Sequence, residues 1–318
     1  MSDVSRAFGL ALAAALVLGI VVLPWLRRIG LGQQVREDGP RAHLQKAGTP
    51  TLGGIIFLPA VAVASLLVAG PVLKVVAAMA IMLGFAGIGF TDDLLKVARR
   101  RSLGLRARHK LTGQIILSLA LATVAVFFAA RGTTIHLPGT GREWSLGWLY
   151  FPFVVLVLTG ASNAVNLTDG LDGLAAGATV VAGLAYVFLA ILAGEPDMAV
   201  LAASLAGGCL GFLAFNFHPA RVFMGDTGSM ALGAVVGTLA VFTGTELLLP
   251  LVGGIYVIET LSVILQVIFF KLTRKRLFLM SPLHHHFELA GWPEVRVVLA
   301  FWLVEAILAA AGVLVWYH

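Results

Sequence analysis

The chain has 318 residues, 59% of them hydrophobic and only 12% charged. A water-soluble domain carries roughly twice that charged fraction, so no soluble fold of this length hides so much apolar surface, and most of the chain must lie in lipid. The net charge of +6 sits between apolar runs, so it reads as a topology signal and as phosphate ligands, not as a nucleic-acid footprint.

Apolar runs recur near 8–26, 52–70, 72–91, 111–130, 147–165, 173–193, 198–215, 229–243, 247–270 and 296–316. Each approaches the roughly 20 residues a helix needs to cross a bilayer, except the eighth, which reads as short or tilted. Stretches such as LALAAALVLGIVV lack period-two alternation, which excludes a β-barrel. The first run is long for a cleaved leader and is followed by Arg27 and Arg28, so it is expected to remain as the first helix. The fold class expected is an all-α integral membrane protein, one polytopic domain over 1–318 with about ten transmembrane helices. The connections after the odd-numbered spans hold 18 of the 22 Lys and Arg; the others hold only Arg6, Lys74, Arg131 and Arg142. That bias predicts a cytoplasmic location for the first set and external termini. The external segment 131–146 has Thr and Ile runs around a Pro-Gly-Thr-Gly break and predicts a small surface hairpin. Cys209 is the only cysteine; it excludes an intrachain disulfide and reads as a small buried hydrophobe.

Four polar segments interrupt this pattern, and the predicted topology puts all of them on the cytoplasmic face. Thr91-Asp92-Asp93-Leu94-Leu95-Lys96 closes the third span. Adjacent carboxylates at a membrane boundary repel and lose hydration, which a nearby cation relieves; Mg²⁺ with substrate phosphates fits, against the plainer reading of a solvated helix end. Residues 162–173, SNAVNLTDGLDG, gather amides, acids and glycines. One acid would cap the next helix, but this many polar groups point to a pocket for a sugar or nucleotide. Asn216-Phe217-His218-Pro219 precedes Phe223-Met224-Gly225-Asp226-Thr227-Gly228-Ser229. The latter is a glycine-rich helix start whose free N–H groups suit phosphate, with Asp226 as cap or metal ligand. Finally, Pro282 to Glu288 reads PLHHHFE. Consecutive histidines point in different directions, so donors to a pyrophosphate fit better than a Zn²⁺ site. This equipment suits phosphates and a hard divalent cation, and the ten spans point to a lipid as second reactant.

At this point DDLLK, SNAVNLTDGLDGLA, NFHPARVFMGDTGS and PLHHHFELAGW resemble the polyprenyl-phosphate N-acetylhexosamine-1-phosphate transferases. Within that superfamily, KAGTPTLGG and PLHHHFE look like the phospho-N-acetylmuramoyl-pentapeptide transferases of peptidoglycan synthesis. The resemblance runs from about Lys46 to the last span. It implies transfer of phospho-MurNAc-pentapeptide from UDP-MurNAc-pentapeptide to undecaprenyl phosphate, giving lipid I and UMP. It further implies a Mg²⁺ requirement and a multi-pass location in the bacterial plasma membrane, with the active site facing the cytoplasm. A homodimer is compatible with it.

Asp226 is expected to ligate Mg²⁺ with Asp92 and Asp93 close by, and one of that pair to act as base or nucleophile. Direct attack and a covalent aspartyl intermediate both stay open. Lys46, Lys110, His284, His285 and His286 are expected around the diphosphate. Asn166, Asp169 and Asn216 are expected to line the uridine and sugar pocket, with Phe223 stacked on uracil. Thr51, Lys96, Asn163, Asp172 and Gln266 complete the expected substrate contacts. Two other readings compete: a sister transferase using UDP-GlcNAc, and a transporter with midplane acids. The acidic motifs sit at span ends, with only Glu246, Glu259, Gln266 and Glu305 in or near other spans, which disfavours transport.

Overall fold

The computed structural model describes residues 2–29, 46, 48–99 and 104–317; Arg36, Arg41, Arg100 and Arg101, used for the predicted topology, lie outside them. Helices α1 (Ser2–Ile29), α2 (Gly54–Ala69), α3 (Leu73–Ala98) and α4 (Ala107–Thr123) come first, and α4 continues as a π turn to Phe128. A hairpin of β1 (Thr134–Leu137) and β2 (Arg142–Ser145) follows. Then come α5 (Tyr150–Thr168), α6 (Leu174–Leu192), α7 (Pro196–Asn216), α8 (Gly225–Thr243), α9 (Leu249–Val252), α10 (Gly254–Thr273), α11 (Leu283–Leu289) and α12 (Glu294–Tyr317). Among the described residues, nine helices are long and apolar enough to cross a membrane.

The short span is not the expected one. Helix α8 has 19 residues because it starts at Gly225, whereas α2 has only 16. At about 1.5 Å per residue, α2 falls short of the roughly 30 Å hydrocarbon layer. The ninth apolar run is also two helices, broken at Gly253 between α9 and α10. The break frees backbone N–H groups, and buried Glu305 on α12 accepts one of them from Ile255 at 2.8 Å. In lipid such a group needs an internal partner, which gives Glu305 a structural role.

Small residues set the packing. Ala7, Ala11, Ala15 and Gly19 form a buried stripe on α1, while Val17, Ile20 and Val21 face outward. That four-residue spacing lets α1 lie close against α7, where apolar driving force is absent and contact distance decides association. Helices α7 and α8 are buried almost throughout and form the centre; α1, α2, α3, α5 and α6 pack around them. Cys209 lies buried in α7. The predicted hairpin is present, with Thr134 opposite Ser145 and Leu137 opposite Arg142. It sits at the end of the bundle opposite the acidic motifs, and His136 packs edge-on against Trp316.

Candidate active site

The site is built on the crossing of α3 and α8. A Cβ on Gly89 of α3 would stand 2.1 Å from the carbonyl oxygen of Asp226, so only glycine allows this approach. It brings Asp92 and Asp93 to the first turn of α8. Asp93 then accepts three hydrogen bonds there: from the Asp226 N–H at 3.1 Å, the Thr227 N–H at 2.9 Å and the Thr227 hydroxyl at 2.7 Å. The expected anion-binding helix start is therefore real, but the anion on these N–H groups is the chain's own Asp93. This trans cap helps to explain why the polar Gly-Asp-Thr-Gly-Ser run is helical, since it satisfies two of the four orphan N–H donors of α8. Gly225 has φ 73°, where a side chain is strained. A Cβ there would also meet Asp93 Oδ2 at 2.6 Å and Thr51 Oγ1 at 2.8 Å.

Asp92, Asp93 and Asp226 each place one carboxylate oxygen within 4.8 Å of the others. Two ammonium groups enter this cluster. Lys96 Nζ lies 2.7 Å from Asp92 Oδ2 and 3.0 Å from Asp226 Oδ1. Lys110 Nζ lies 3.1 Å from Asp92 Oδ1 and pairs with Asp226 Oδ2. Asp92 Oδ1 also accepts the Leu105 N–H at 2.7 Å. Its Oδ2 is buried with no aligned hydrogen bond, only the Lys96 charge. Three hard oxygen donors converging on one point suit a divalent oxygen-seeking cation.

The structure separates Lys46 from that group. Its Nζ bonds Asp172 Oδ1 at 2.8 Å and Glu294 Oε1 at 2.6 Å. His218 Nδ1 joins the same cluster, 3.0 Å from Asp172 Oδ2 and 3.2 Å from Glu294 Oε2. Lys46 and Lys110 were expected around one diphosphate; instead each neutralises a different acidic cluster. Asp169 links the two electrostatically. Burial, then the charges of Asp226, Asp93 and Asp172, push its carboxyl well above the usual carboxylate range, opposed by Lys96.

The expected amides mostly hold loops and helices. Asn216 accepts the Gly173 N–H and donates to the Val222 carbonyl, pinning two loops together. Asn166 donates to Ser229 Oγ at 2.8 Å, joining α5 to α8. Asn163 donates to Gln114 Oε1 across α4 and α5. Gln266 accepts the N–H groups of Leu277 and Phe278 and donates to the Phe278 carbonyl. The Phe223 backbone is tied to Pro50 and Gly53 while its ring stays half-buried. The three histidines take different partners, although the rings of His284 and His285 pack edge-on with centroids 4.1 Å apart. His284 is fully buried, with Nδ1 3.2 Å from Glu259 Oε1, and its Nε2 would meet a Cβ on Gly170 at 2.2 Å. His285 pairs with Glu288 at 2.8 Å, and His286 Nδ1 accepts the Leu279 N–H. Sequence alone assigns no role to Glu294, to Thr227 inside the glycine-rich motif, or to Glu259, which it marks only as an acid within a span. His218 lay inside a quoted motif; Glu294 stands alone at a helix start, where an acid is ordinary.

Comparison with known proteins agrees with this geometry. The family model described as Glycosyl transferase family 4 matches residues 75–244. The phospho-N-acetylmuramoyl-pentapeptide-transferase of Moorella thermoacetica is 55% identical over 312 residues, covering 98% of each chain. Its counterpart from Heliobacterium modesticaldum is 54% identical, covering 99% of this chain and 98% of that one. The one from Shouchella clausii is 49% identical over 309 residues. With such identity sustained over nearly the whole length, and the aspartate motifs converging on one site, the chain belongs to the phospho-N-acetylmuramoyl-pentapeptide transferases of glycosyl transferase family 4.

Proposed function

We propose that this enzyme transfers phospho-MurNAc-pentapeptide from its UDP-linked precursor to undecaprenyl phosphate in the bacterial plasma membrane, at a site facing the cytoplasm. The observation that carries the reading is the convergence of Asp92, Asp93, Asp226, Lys96 and Lys110 at the ends of transmembrane helices. A phosphate on a lipid and a soluble diphosphate can meet only at such a boundary. The Lys and Arg bias of the sequence supports the orientation.

In this reading an oxygen of the lipid phosphate forms a bond to the β-phosphorus of the donor. The bridging bond to UMP breaks, and UMP leaves. We assign the base to Asp92 because it alone of the pair meets both cations that would receive the phosphates, Lys96 at 2.7 Å and Lys110 at 3.1 Å, whereas Asp93 is committed to the start of α8 by three hydrogen bonds. Asp92 takes the proton of the lipid phosphate. Asp226, with Asp92 beside it, would hold Mg²⁺, which when bound supplies positive charge to the diphosphate and to leaving UMP. Lys96 and Lys110 add fixed positive charge at the same point, effective because it is already in place. Asp169, Asp172, Phe223 and Lys46 are the side chains assigned to the nucleotide.

Purified protein with undecaprenyl phosphate and Mg²⁺ tests this when offered UDP-MurNAc-pentapeptide and UDP-GlcNAc in parallel. The expected result is lipid I and UMP from the first donor and no product from the second. Turnover of UDP-GlcNAc alone would make the chain a sister transferase.

A further inference from the structure

We propose that Glu294 is a positioning residue of the donor pocket, fixing the Lys46 ammonium and the Asp172 backbone in place to receive the nucleotide. The inference rests on the reading of Lys46 and Asp172 as nucleotide contacts. Glu294 opens α12, and α12 is itself held against α6: Trp302 Nε1 donates to the Leu174 carbonyl at 3.2 Å, and its ring fills the space beside Gly177. The carboxylate therefore projects from a firm base.

Glu294 Oε1 accepts from Lys46 Nζ at 2.6 Å and from the Asp172 N–H at 2.8 Å. Oε2 lies 3.2 Å from His218 Nδ1. One side chain thus touches the segment before α2, the α5–α6 loop and the α7–α8 loop. These segments are far apart in sequence, with Lys46 separated from Glu294 by 248 positions. Lys46 is a long, flexible cation, and held only by Asp172 it would keep more rotamer freedom. Charge-assisted bonds to two carboxylates restrict it. A ligand then binds to a pocket already ordered, and less ordering cost is left to pay. Because Glu294 lies outside the cluster of Asp92, Asp93 and Asp226, its loss should weaken binding more than it slows the transfer.

The experiment is titration calorimetry of detergent-purified protein with UMP and Mg²⁺, alongside steady-state kinetics. E294Q keeps the shape and one acceptor for the Asp172 N–H but removes the charge. We expect UMP affinity to fall, and donor KM to rise, by about tenfold with kcat within about threefold, the signature of lost uniform binding. E294D retains the charge and should recover part of the affinity. In a K46A background, E294Q should add little, because the effect runs through Lys46. Unchanged or tighter UMP binding by E294Q, an additive double variant, or a kcat loss without a KM change would each overturn the inference. If E294Q does not fold, E294D and K46A carry the same comparison, and equal affinity for E294D, K46A and wild type would overturn it. Wild-type protein that binds no UMP would instead overturn the underlying donor-pocket reading.

Discussion

Both ends of the helix bundle bury charge, and they handle it in opposite ways. At the hairpin end, Arg131 donates to the Val241 and Thr134 carbonyls and to both oxygens of Glu246, while the Tyr150 hydroxyl adds a bond at 2.7 Å. Burial pushes the Glu246 carboxyl above its usual range, and the Arg131 charge and the Tyr150 bond pull it back. Lys74, at the start of α3, and Glu195, before α7, also pair one to one. That end is balanced and closed. At the other end three carboxylates share Lys96 and Lys110. Asp172 and Glu294 share Lys46, and Asp169 adds a further acid beside both clusters. Balanced charge ties strands and helices together; among the described residues, the carboxylates of the two clusters outnumber the lysines that meet them, an arrangement that suits a bound cation. The contrast supports the proposed site at the unbalanced end.

Removing charge at each end should therefore do different things. The largest expected effect is on turnover. D226N takes one hard ligand from the surplus and should cut kcat by about a hundredfold to a thousandfold, the scale of losing one fixed partner of developing charge. Its melting temperature in detergent should stay close to wild type. D226N turning over at a normal rate would sink the metal assignment. At the balanced end the reverse holds. R131A strands a buried carboxylate and should cost about 3–5 kcal/mol of stability, while the kcat/KM of folded molecules stays unchanged. Adding E246Q should return part of that loss. If R131A abolished turnover without lowering stability, the two ends would not be separable. Between these lies Asp93, which belongs to the site by position and to the scaffold by bonding. D93A should lower stability by about 2 kcal/mol through the lost cap, whereas D92A should remove activity with a smaller loss of stability. Equal melting temperatures for the two variants would deny the cap.

What the sequence showed and hid follows from the range of each signal. The bundle of apolar helices and its polar motifs were legible because hydropathy and local motifs are read within about 20 residues, although nine of the ten expected spans are long enough to cross a membrane among the described residues. The hairpin was legible from its Pro-Gly-Thr-Gly turn. The helix start at Gly225 to Ser229 was legible, but the eighth span read short because that run is polar, and its cap was hidden because it is Asp93, 134 positions from Thr227. The break at Gly253 had a local signal in Pro250 and Gly253-Gly254, which the length of the apolar run outweighed in the span assignment. The convergence of Asp92, Asp93 and Asp226 was anticipated, but the division of cations was not: nothing local to Lys46 or Lys110 says which acid each will meet. Glu294 gave no motif at all, since its partners come from three other segments.

The smallest effect separates a ligand contact from a loop anchor. Gln266 was expected among the substrate contacts, yet its side chain is spent on the segment after α10. Its Oε1 accepts the Leu277 N–H at 3.0 Å and the Phe278 N–H at 2.9 Å, and its Nε2 donates to the Phe278 carbonyl at 3.1 Å. That segment leads to His286, which accepts the Leu279 N–H at 3.1 Å, so Gln266 and His286 fold one turn from either side. The bonds are partly exposed, and water replaces them when they are lost, so Q266A should cost only about 1 kcal/mol. An anchor role predicts faster trypsin cleavage at Arg274, Lys275 and Arg276, because local opening governs access, with donor KM near wild type. A contact role predicts the opposite pattern, a raised KM and unchanged cleavage. The two readouts move independently, so one set of digests and one kinetic series decide whether this residue belongs to the surplus end's chemistry or only to its framework.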